Sequence, residues 1–251
     1  MYERMMLVES EPSFQEIEEA VGGPLKRRLH ALDPELFPLP QSGDFGGWMM
    51  AADYFMTARA RGLRVARELD ALGTATIRHL VWRFSRFYRD KEMMRTMVGP
   101  LLAHIIERAA GSSIAGVGIC SRTVPGIEES YGSLSLVVSS SCHDVTVLAL
   151  LYAMGSHLID NVDYWPPYGS TIAFAVRRSG AASGAGAVLG DQGEGEKGSG
   201  LVLDISVDGE PLRSCLFKGD DAISLSDFRT VLGKLLPRDT VSESLVSGKR
   251  L

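Results

Sequence analysis

The pair His143-Asp144 is the strongest candidate for chemistry in this chain of 251 residues. It follows residues 133–141, whose β-branched centre and two apolar faces predict a buried strand of the parallel type. It precedes residues 145–155, which predict a compact helix that ends at Gly155. Such a position between strand and helix is where α/β folds bind ligands, and backbone N–H groups at a helix start attract anions. Phosphate is the natural candidate, and the alternative is that Asp144 only caps the helix.

The remaining histidines and the cysteines do not form a second candidate site. Their spacing matches neither a metal-ligand motif nor an even-numbered disulfide framework, so we expect no metal and leave the redox compartment open. We expect the two histidines on apolar helices, His79 and His104, to be structural, and Cys142 to be a buried and inert thiol. The other members of this set are His30, His157, Cys120 and Cys215.

Residues 1–110 are predicted to be mostly helical. Ser13 and Glu16 have the spacing of a capping box at the start of a helix. Gly22-Gly23-Pro24 is expected to break this helix, and residues 25–32 are expected to be helical again. Residues 37–43 have the composition of a linker. Apolar residues at spacings of three and four then predict helices over 48–69, over 77–88 after Thr74, and over 91–110, closed by Gly111. Gly99-Pro100 is expected to kink or split the last of these helices.

Residues 111–251 are predicted to form the α/β part that contains the His-Asp pair. Antiparallel strands are expected at 168–178, 201–207 and 213–218, with a turn at 208–211 and a final helix from Ser224 to Leu236. Residues 179–200 are low in complexity and have little to bury, which predicts a flexible loop. For Trp165 and the two prolines after it, a rigid lead into an edge strand is favoured over a substrate wall.

Charge and hydropathy restrict the partners. The net charge of −5 argues against nucleic-acid binding, because the basic clusters Lys26-Arg27-Arg28 and Arg177-Arg178 are short. The longest strongly apolar run, residues 145–154, is about half of what a bilayer span needs, so no membrane segment is expected in this chain. The first ten residues carry acidic side chains on both sides of their apolar patch, which is not typical of a secretory signal peptide.

Two segments together resemble the histidine acid phosphatases, the branch of the histidine phosphatase superfamily that includes phytases. Residues 142–155, Cys-His-Asp-Val-Thr-Val-Leu-Ala-Leu-Leu-Tyr-Ala-Met-Gly, are similar to the second signature of that family. Residues 165–176, Trp-Pro-Pro-Tyr-Gly-Ser-Thr-Ile-Ala-Phe-Ala-Val, are similar to the segment that follows it. Weaker similarity at residues 14–18, 26–30 and 36–51 extends the resemblance over most of the chain except residues 179–200.

The resemblance implies an α/β fold in which helices flank a mixed sheet and the N-terminal half is helical. It also implies hydrolysis of phosphomonoesters without a cofactor. In the family, a histidine in an Arg-His-Gly-x-Arg motif attacks the phosphorus and forms a phosphohistidine. The second-signature histidine contacts the phosphoryl group, and the next aspartate protonates the leaving alcohol. By resemblance these two roles fall to His143, as the phosphate contact, and to Asp144, as the general acid.

The chain departs from the family pattern at its start. It contains no Arg-His-Gly, and the nearest string, Arg27-Arg28-Leu29-His30, lies in a segment predicted to be helical. The first family strand, the nucleophile and the arginine clamp are therefore expected to be missing. This leaves two hypotheses: an acid phosphatase whose N-terminal part lies outside this sequence, or a pseudoenzyme that acts as a phosphate-binding or interaction module. Family members are often secreted, lysosomal or membrane-anchored, and the compartment stays open here.

A missing neighbour strand has a structural consequence. The apolar strand at 134–141 would keep an unpaired edge, and such edges promote association between chains. We therefore expect a homodimer or aggregation, with Leu136, Val137 and Val138 near incompletely covered surface.

Overall fold

The first part of the chain is a succession of helices, as the apolar spacing predicted. The computed structural model describes residues 2–38, 45–64, 67–111, 116–120, 137–140, 142–178, 201–217 and 222–236. The helices before the sheet are α1 (Tyr2–Glu9), α2 (Pro12–Ile17), α3 (Gly23–Leu32), α4 (Phe45–Ala60), α5 (Arg67–Phe87) and α6 (Lys91–Gly111). Two of the predicted linker residues, 37 and 38, are described, whereas 39–43 lie outside the described residues.

The predicted break at Gly22-Gly23-Pro24 is wrong. A π-helical turn, Glu18–Gly22, joins α2 directly to α3, and both glycines have helical backbone angles. Pro24 follows this π turn, where the regular i→i−4 hydrogen-bond pattern is already interrupted, so its missing N–H is accommodated there. The predicted capping box is also wrong, since Glu11 is the N-cap of α2 and Ser13 accepts a hydrogen bond from Arg86.

The single helix predicted for 48–69 ends earlier, at Ala60. Gly62 has a φ of 64°, and the Leu63 N–H donates to the carbonyl of Ala58 at 2.9 Å, as in a glycine-terminated helix. The next helix, α5, starts at Arg67 and continues through Gly73. A Cβ atom on Gly73 would lie 2.5 Å from a ring carbon of Phe55, so the close contact between α4 and α5 requires glycine there.

Pro100 does not split the third long helix, because α6 extends from Lys91 to Gly111 with the proline inside it. Pro100 is exposed, while the buried side of the helix carries apolar side chains at helical spacing. These buried residues are Met93, Met94, Val98, Leu102, Ile105, Ile106 and Ala109.

A mixed, mainly antiparallel sheet forms the second layer. Its strands are β1 (Gly116–Cys120), β2 (Val137–Ser140), β3 (Thr171–Arg178), β4 (Leu201–Val207), β5 (Glu210–Pro211) and β6 (Ile223–Ser224). The order is β2-β1-β3-β4-β5, with β6 also on β4. The predicted parallel pairing is confirmed for β2, which runs parallel to β1 at one end of the described strands. Dimerisation through this end stays a prediction, since the Leu136 region lies outside the described side chains.

The chain after β4 differs from the prediction. Asp208 and Gly209, with φ angles of 53° and 88°, form the expected tight turn, but the returning strand is only Glu210–Pro211. Residues 213–218 were expected to form a strand, and this is wrong for the described residues 213–217. Leu212 still donates its N–H to the carbonyl of Ile205 at 2.8 Å, but the chain then leaves the sheet and Ser214 bridges to Ser156 instead. The edge position expected for the strand after Trp165 is wrong too, because β3 pairs with both β1 and β4.

Helix α7 (Asp144–Ala153) lies in the core. Its residues from Val147 to Leu151 are all buried, together with the inward side chains Ile172, Phe174 and Leu203 of the sheet. The last helix, α8 (Leu225–Leu232), begins as predicted at Ser224, whose hydroxyl accepts from the Asp227 N–H at 3.0 Å. The core therefore fixes α7 at the place where the His-Asp pair stands.

The predicted loop at 179–200 lies outside the described residues. In the part of the chain that the structure describes, no helix is both long enough and apolar enough to span a membrane.

Candidate functional site

The site is built on the first turn of α7. His143 has extended backbone angles, φ −77° and ψ 155°, and its carbonyl accepts from the N–H groups of Thr146 at 2.9 Å and Val147 at 3.2 Å. His143 is therefore the N-cap, and Asp144 is the first helical residue. At the other end, Gly155 has a φ of 61°, which confirms the predicted glycine stop. The helix thus holds the two predicted site residues consecutively at its N-terminus.

The two side chains have different environments. His143 is exposed and makes no capping hydrogen bond through its side chain, whereas Asp144 is half-buried. One carboxylate oxygen of Asp144, Oδ1, accepts from the Val145 N–H at 2.8 Å. We expected the N–H groups at this helix start to be unpaired and available to an anion. This needs correction, because the N–H of Val145 is already bonded to the carboxylate of Asp144.

The second oxygen of Asp144 is held by Trp165. The indole Nε1 donates to Oδ2 at 2.7 Å, and Trp165 as a whole is only 9% exposed. It packs edge-on against Phe84, with 5.4 Å between ring centres. Sequence reasoning favoured a rigid lead into a strand for Trp165, whereas the structure gives its side chain a direct contact with the site.

A cavity of about 330 Å³ opens beside Asp144. Its wall is formed by α4, α5, the first residue of α7 and the segment after α7, so four parts of the chain meet there. The lining residues are Met56, Arg59, Ala60, Ile77, Asp144, Asp163, Trp165, Pro166, Pro167 and Tyr168. The substrate-wall alternative for Trp165 and the prolines is thus compatible with their position.

The polar side chains at the cavity rim already have partners. Arg59 donates to Asp70 Oδ1 at 2.9 Å and to the Thr74 hydroxyl at 2.6 Å. Asp163 accepts two hydrogen bonds from Arg78, at 2.5 and 2.8 Å.

The remaining rim group, the Tyr168 hydroxyl, donates to Asp53 Oδ1 at 2.7 Å. The unengaged surface of the cavity is therefore mostly apolar.

Tyr88 supports the same turn of α7 from the core side. Its hydroxyl donates to the carbonyl of Val145 at 2.7 Å. Burial, and then the negative charge of Asp144, raise the pKa of Tyr88 well above its ordinary value. The hydroxyl therefore stays protonated and keeps this hydrogen bond across the physiological pH range.

Two cysteine side chains lie within the described residues. Cys142 is half-buried rather than fully buried, Cys215 is exposed, and neither is in a disulfide. No group of three or more His, Cys, Asp or Glu side chains in the described ranges is arranged to hold a metal ion.

A second polar cluster, which sequence reasoning missed, lies away from α7. We call Glu9, Glu18, Trp48, His79 and Arg83 the Glu18 cluster. The Glu18 carboxylate accepts from Trp48 Nε1 and from His79 Nε2, both at 2.9 Å. It also pairs with Arg83, which bridges to Glu9. His79 is 3% exposed, as expected for a structural histidine.

Burial opposes ionisation in the Glu18 cluster, and the two carboxylates respond differently. For Glu18, burial is outweighed by the hydrogen bond from His79, the charge of Arg83 and the hydrogen bond from Trp48, and its pKa falls to about 2. For Glu9, burial raises the pKa more than the charge of Arg83 lowers it. Glu18 is therefore ionised at neutral and mildly acidic pH.

No protein-family model matches this chain, and no curated protein matches it at a significant level.

Proposed function

We propose that the chain carries part of a phosphomonoesterase active site like that of the histidine acid phosphatases. This part consists of the residue that contacts the phosphate and the residue that protonates the leaving alcohol. The observation that carries the proposal is the position of His143 and Asp144 at the start of α7. The imidazole is exposed there, and the carboxyl next to it lies on the wall of a cavity.

His143 is proposed to contact the phosphoryl group. Its side chain is accessible at the N-cap of α7, where the aligned peptide dipoles favour negative charge. An imidazole N–H at this place can donate a hydrogen bond to a negatively charged phosphate oxygen.

Asp144 is proposed to be the general acid. Hydrogen bonds to both carboxylate oxygens, from Val145 and Trp165, fix the orientation of this side chain. A carboxyl held in one orientation beside a cavity can give its proton to the oxygen of an alcohol bound in that cavity. The leaving alcohol is accordingly assigned to the cavity, and the phosphate to the side of His143.

The covalent half of such a reaction needs groups that this sequence does not contain, since no Arg-His-Gly occurs in its 251 residues. The one arginine on the cavity wall, Arg59, is engaged by Asp70 and Thr74. This observation favours a second candidate function for the chain by itself, namely binding of phosphate or a phosphomonoester without turnover.

Both forms of the proposal require phosphate binding at His143, which calorimetric titration with inorganic phosphate tests. We expect His143→Ala to weaken binding about tenfold, the loss typical of a hydrogen bond to a charged group. We expect Asp144→Asn to bind phosphate as well as the unchanged chain or better, because a neighbouring negative charge is removed. The matched control is His157→Ala, which removes an exposed histidine near the opposite end of α7.

Two results would contradict the proposal. One is that the unchanged chain binds no phosphate at millimolar concentration. The other is that His157→Ala weakens binding as much as His143→Ala, because phosphate would then bind elsewhere or without a specific site.

A further inference from the structure

We infer that a second cavity, beside the C-terminal end of α7, binds an uncharged and mainly apolar molecule through a carbonyl oxygen. We call it the Tyr164 cavity. It is lined by residues 156–158, which follow α7, by Tyr164, by the end of β4 and by residues 210–214. Neither His143 nor Asp144 lines it, so the inference does not rest on the proposed function.

The size of the Tyr164 cavity is that of a small-molecule site. Its volume is about 910 Å³, within the range of about 300 to 1,000 Å³ that ligand pockets have. Its lining includes Ile205 and Val207, whose side chains belong to the buried face of β4. The cavity therefore reaches the core-facing side of the sheet.

Most of the lining side chains are apolar. They include two aromatic rings and several aliphatic groups, among them Tyr164, Phe217, Ile205, Val207, Leu212 and Ile223. An apolar molecule that leaves water for such a lining gains free energy in proportion to the area it buries. The bulk of the ligand is accordingly expected to be hydrocarbon.

Polar groups on the lining are already bonded within the chain. The carboxylate of Asp208 accepts from the Thr171 N–H at 2.6 Å and from the Ser170 hydroxyl at 3.3 Å. The Ser214 hydroxyl donates to the carbonyl of Met154 at 2.5 Å. These groups fix the walls of the cavity and leave little hydrogen-bonding capacity for a ligand with many polar atoms.

The Tyr164 hydroxyl is the exception. It is buried, and it makes no hydrogen bond to any described residue, whereas buried hydroxyls almost always have a partner. Burial, and then the negative charge of Asp208, raise the pKa of Tyr164 to about 12. The hydroxyl therefore keeps its proton at physiological pH, and a ligand in the cavity that Tyr164 lines can supply the missing acceptor.

The charges of the lining favour an uncharged acceptor. Asp208 already acts on Tyr164, and Glu210 adds a second carboxylate, of which Arg213 offsets one. A carboxylate on the ligand would meet this negative charge and would also lose its hydration. An ammonium group has no acceptor to offer to the Tyr164 hydroxyl. The carbonyl of a ketone, ester or amide meets both conditions.

The test compares three molecules of eight carbons by calorimetric titration at neutral pH, namely 2-octanone, octanoate and octylammonium. We expect 2-octanone to bind at millimolar concentration or below, and at least tenfold more tightly than either ion, because neither ion enters an apolar lining without losing hydration. No binding of 2-octanone at millimolar concentration, or tighter binding of either ion, would overturn the inference.

Tyr164→Phe keeps the ring and removes the donor. We expect it to weaken 2-octanone binding about fivefold, the loss typical of one hydrogen bond between neutral groups. We expect the thermal midpoint of the ligand-free variant not to fall, because no partner within the chain is lost. Unchanged binding, or a clearly lowered midpoint, would show that the hydroxyl has its partner inside the protein and would overturn the inference.

The blocking variant is Ala222→Phe, which adds a ring to the lining of the Tyr164 cavity. The matched control is Ala31→Phe, at an exposed position near the end of α3 and away from this lining. We expect Ala222→Phe to weaken 2-octanone binding at least tenfold and Ala31→Phe to leave it unchanged. Equal binding to both would place the ketone elsewhere and overturn the inference, and the Tyr164→Phe measurement decides the matter if Ala222→Phe does not fold.

The outcomes are separate from those of the phosphate titration. If 2-octanone binds as expected while inorganic phosphate does not bind, the Tyr164 cavity stands and the proposed function falls. If phosphate binding depends on His143 while 2-octanone does not bind, the proposed function stands and the inference about the Tyr164 cavity falls.

Discussion

The indole nitrogen of Trp165 donates a hydrogen bond to Asp144 Oδ2 at 2.7 Å, across 21 positions of the chain. Asp144 Oδ1 accepts from the backbone of Val145 at the same time. Both oxygens of the carboxyl are thus fixed by the protein, and fixed geometry is the property that a proton-transferring group requires.

A double-mutant cycle measures this contact. Trp165→Phe keeps a ring and removes the donor, and Asp144→Ala removes the acceptor. Because a hydrogen bond to a charged group is partly buried here, we expect a coupling free energy of about 1 to 2 kcal/mol in urea denaturation. Additive single effects, within about 0.3 kcal/mol, would show that the bond does not contribute.

The stability of the fold should fall in acid because of Glu18. Its pKa of about 2 in the folded state lies below the ordinary value of 4.5. Ionised Glu18 therefore stabilises the fold above pH 4.5, and this stability is lost as the pH falls from about 5 to about 2. The loss should be on the order of 3 kcal/mol, measured as the free energy of unfolding against pH.

The control for this prediction is Glu18→Gln, which cannot titrate and should show a flatter acid limb with a lower stability at neutral pH. Glu9 acts in the opposite direction, because its raised pKa favours the folded state as it becomes protonated. An acid limb that is unchanged in Glu18→Gln would refute the assignment to Glu18.

Gly22→Ala should destabilise the protein while Gly23→Ala should not. A Cβ on Gly22 would lie 2.8 Å from Glu18 Oε1 and 2.9 Å from His79 Nε2, so the Glu18 cluster must move. Crowding of this kind typically costs about 1 to 3 kcal/mol. A Cβ on Gly23 would lie 3.4 Å from the end of the Arg27 side chain and 3.8 Å from the Glu18 carbonyl oxygen, without a clash, and alanine gains about 0.5 to 1 kcal/mol over glycine in a helix. Equal thermal midpoints for the two variants would contradict this.

We expect the 251-residue chain by itself to release no p-nitrophenol from p-nitrophenyl phosphate at a measurable rate. The nucleophile and the arginines supply the covalent step and much of the charge stabilisation. The loss of one electrostatic donor alone typically costs roughly 10²- to 10³-fold in rate. Steady release at acid pH that His143→Ala abolishes would show that this expectation is wrong.

In any form of the protein that hydrolyses phosphomonoesters, Asp144→Asn should slow the hydrolysis of alkyl phosphates far more than the hydrolysis of p-nitrophenyl phosphate. An alkoxide needs a proton to leave, whereas p-nitrophenolate leaves without one. The measurement is the ratio of kcat/KM values for the two substrates in each protein. Equal losses for both would remove Asp144 from the role of general acid.

The helices were predictable where a buried face imposed its spacing on the sequence. Met94, Val98 and Leu102 in α6 show this most clearly, because they recur every four residues and are all buried. The end of α4 was not predictable in this way, since the apolar pattern continues past Ala60 through Leu63. There the single glycine at position 62, with its positive φ, decides the boundary.

The position of His143 and Asp144 was also predictable, because it depends on the local order of a strand, a polar pair and a helix. The surroundings of the pair were not. Met56 and Ile77 reach the cavity only because α4 and α5 pack beside the segment that carries Trp165. The Glu18 cluster was missed for the same reason, as Glu18 and Arg83 are 65 positions apart.

The tight packing around Gly22 also restricts how this sequence can diverge. Any side chain at position 22 would occupy space that the Glu18 carboxylate and the His79 ring now fill. A related sequence with a larger residue at position 22 is therefore expected to carry a different residue at position 18 or 79, because that exchange relieves the crowding. These three positions, the last two 61 residues apart, are expected to covary.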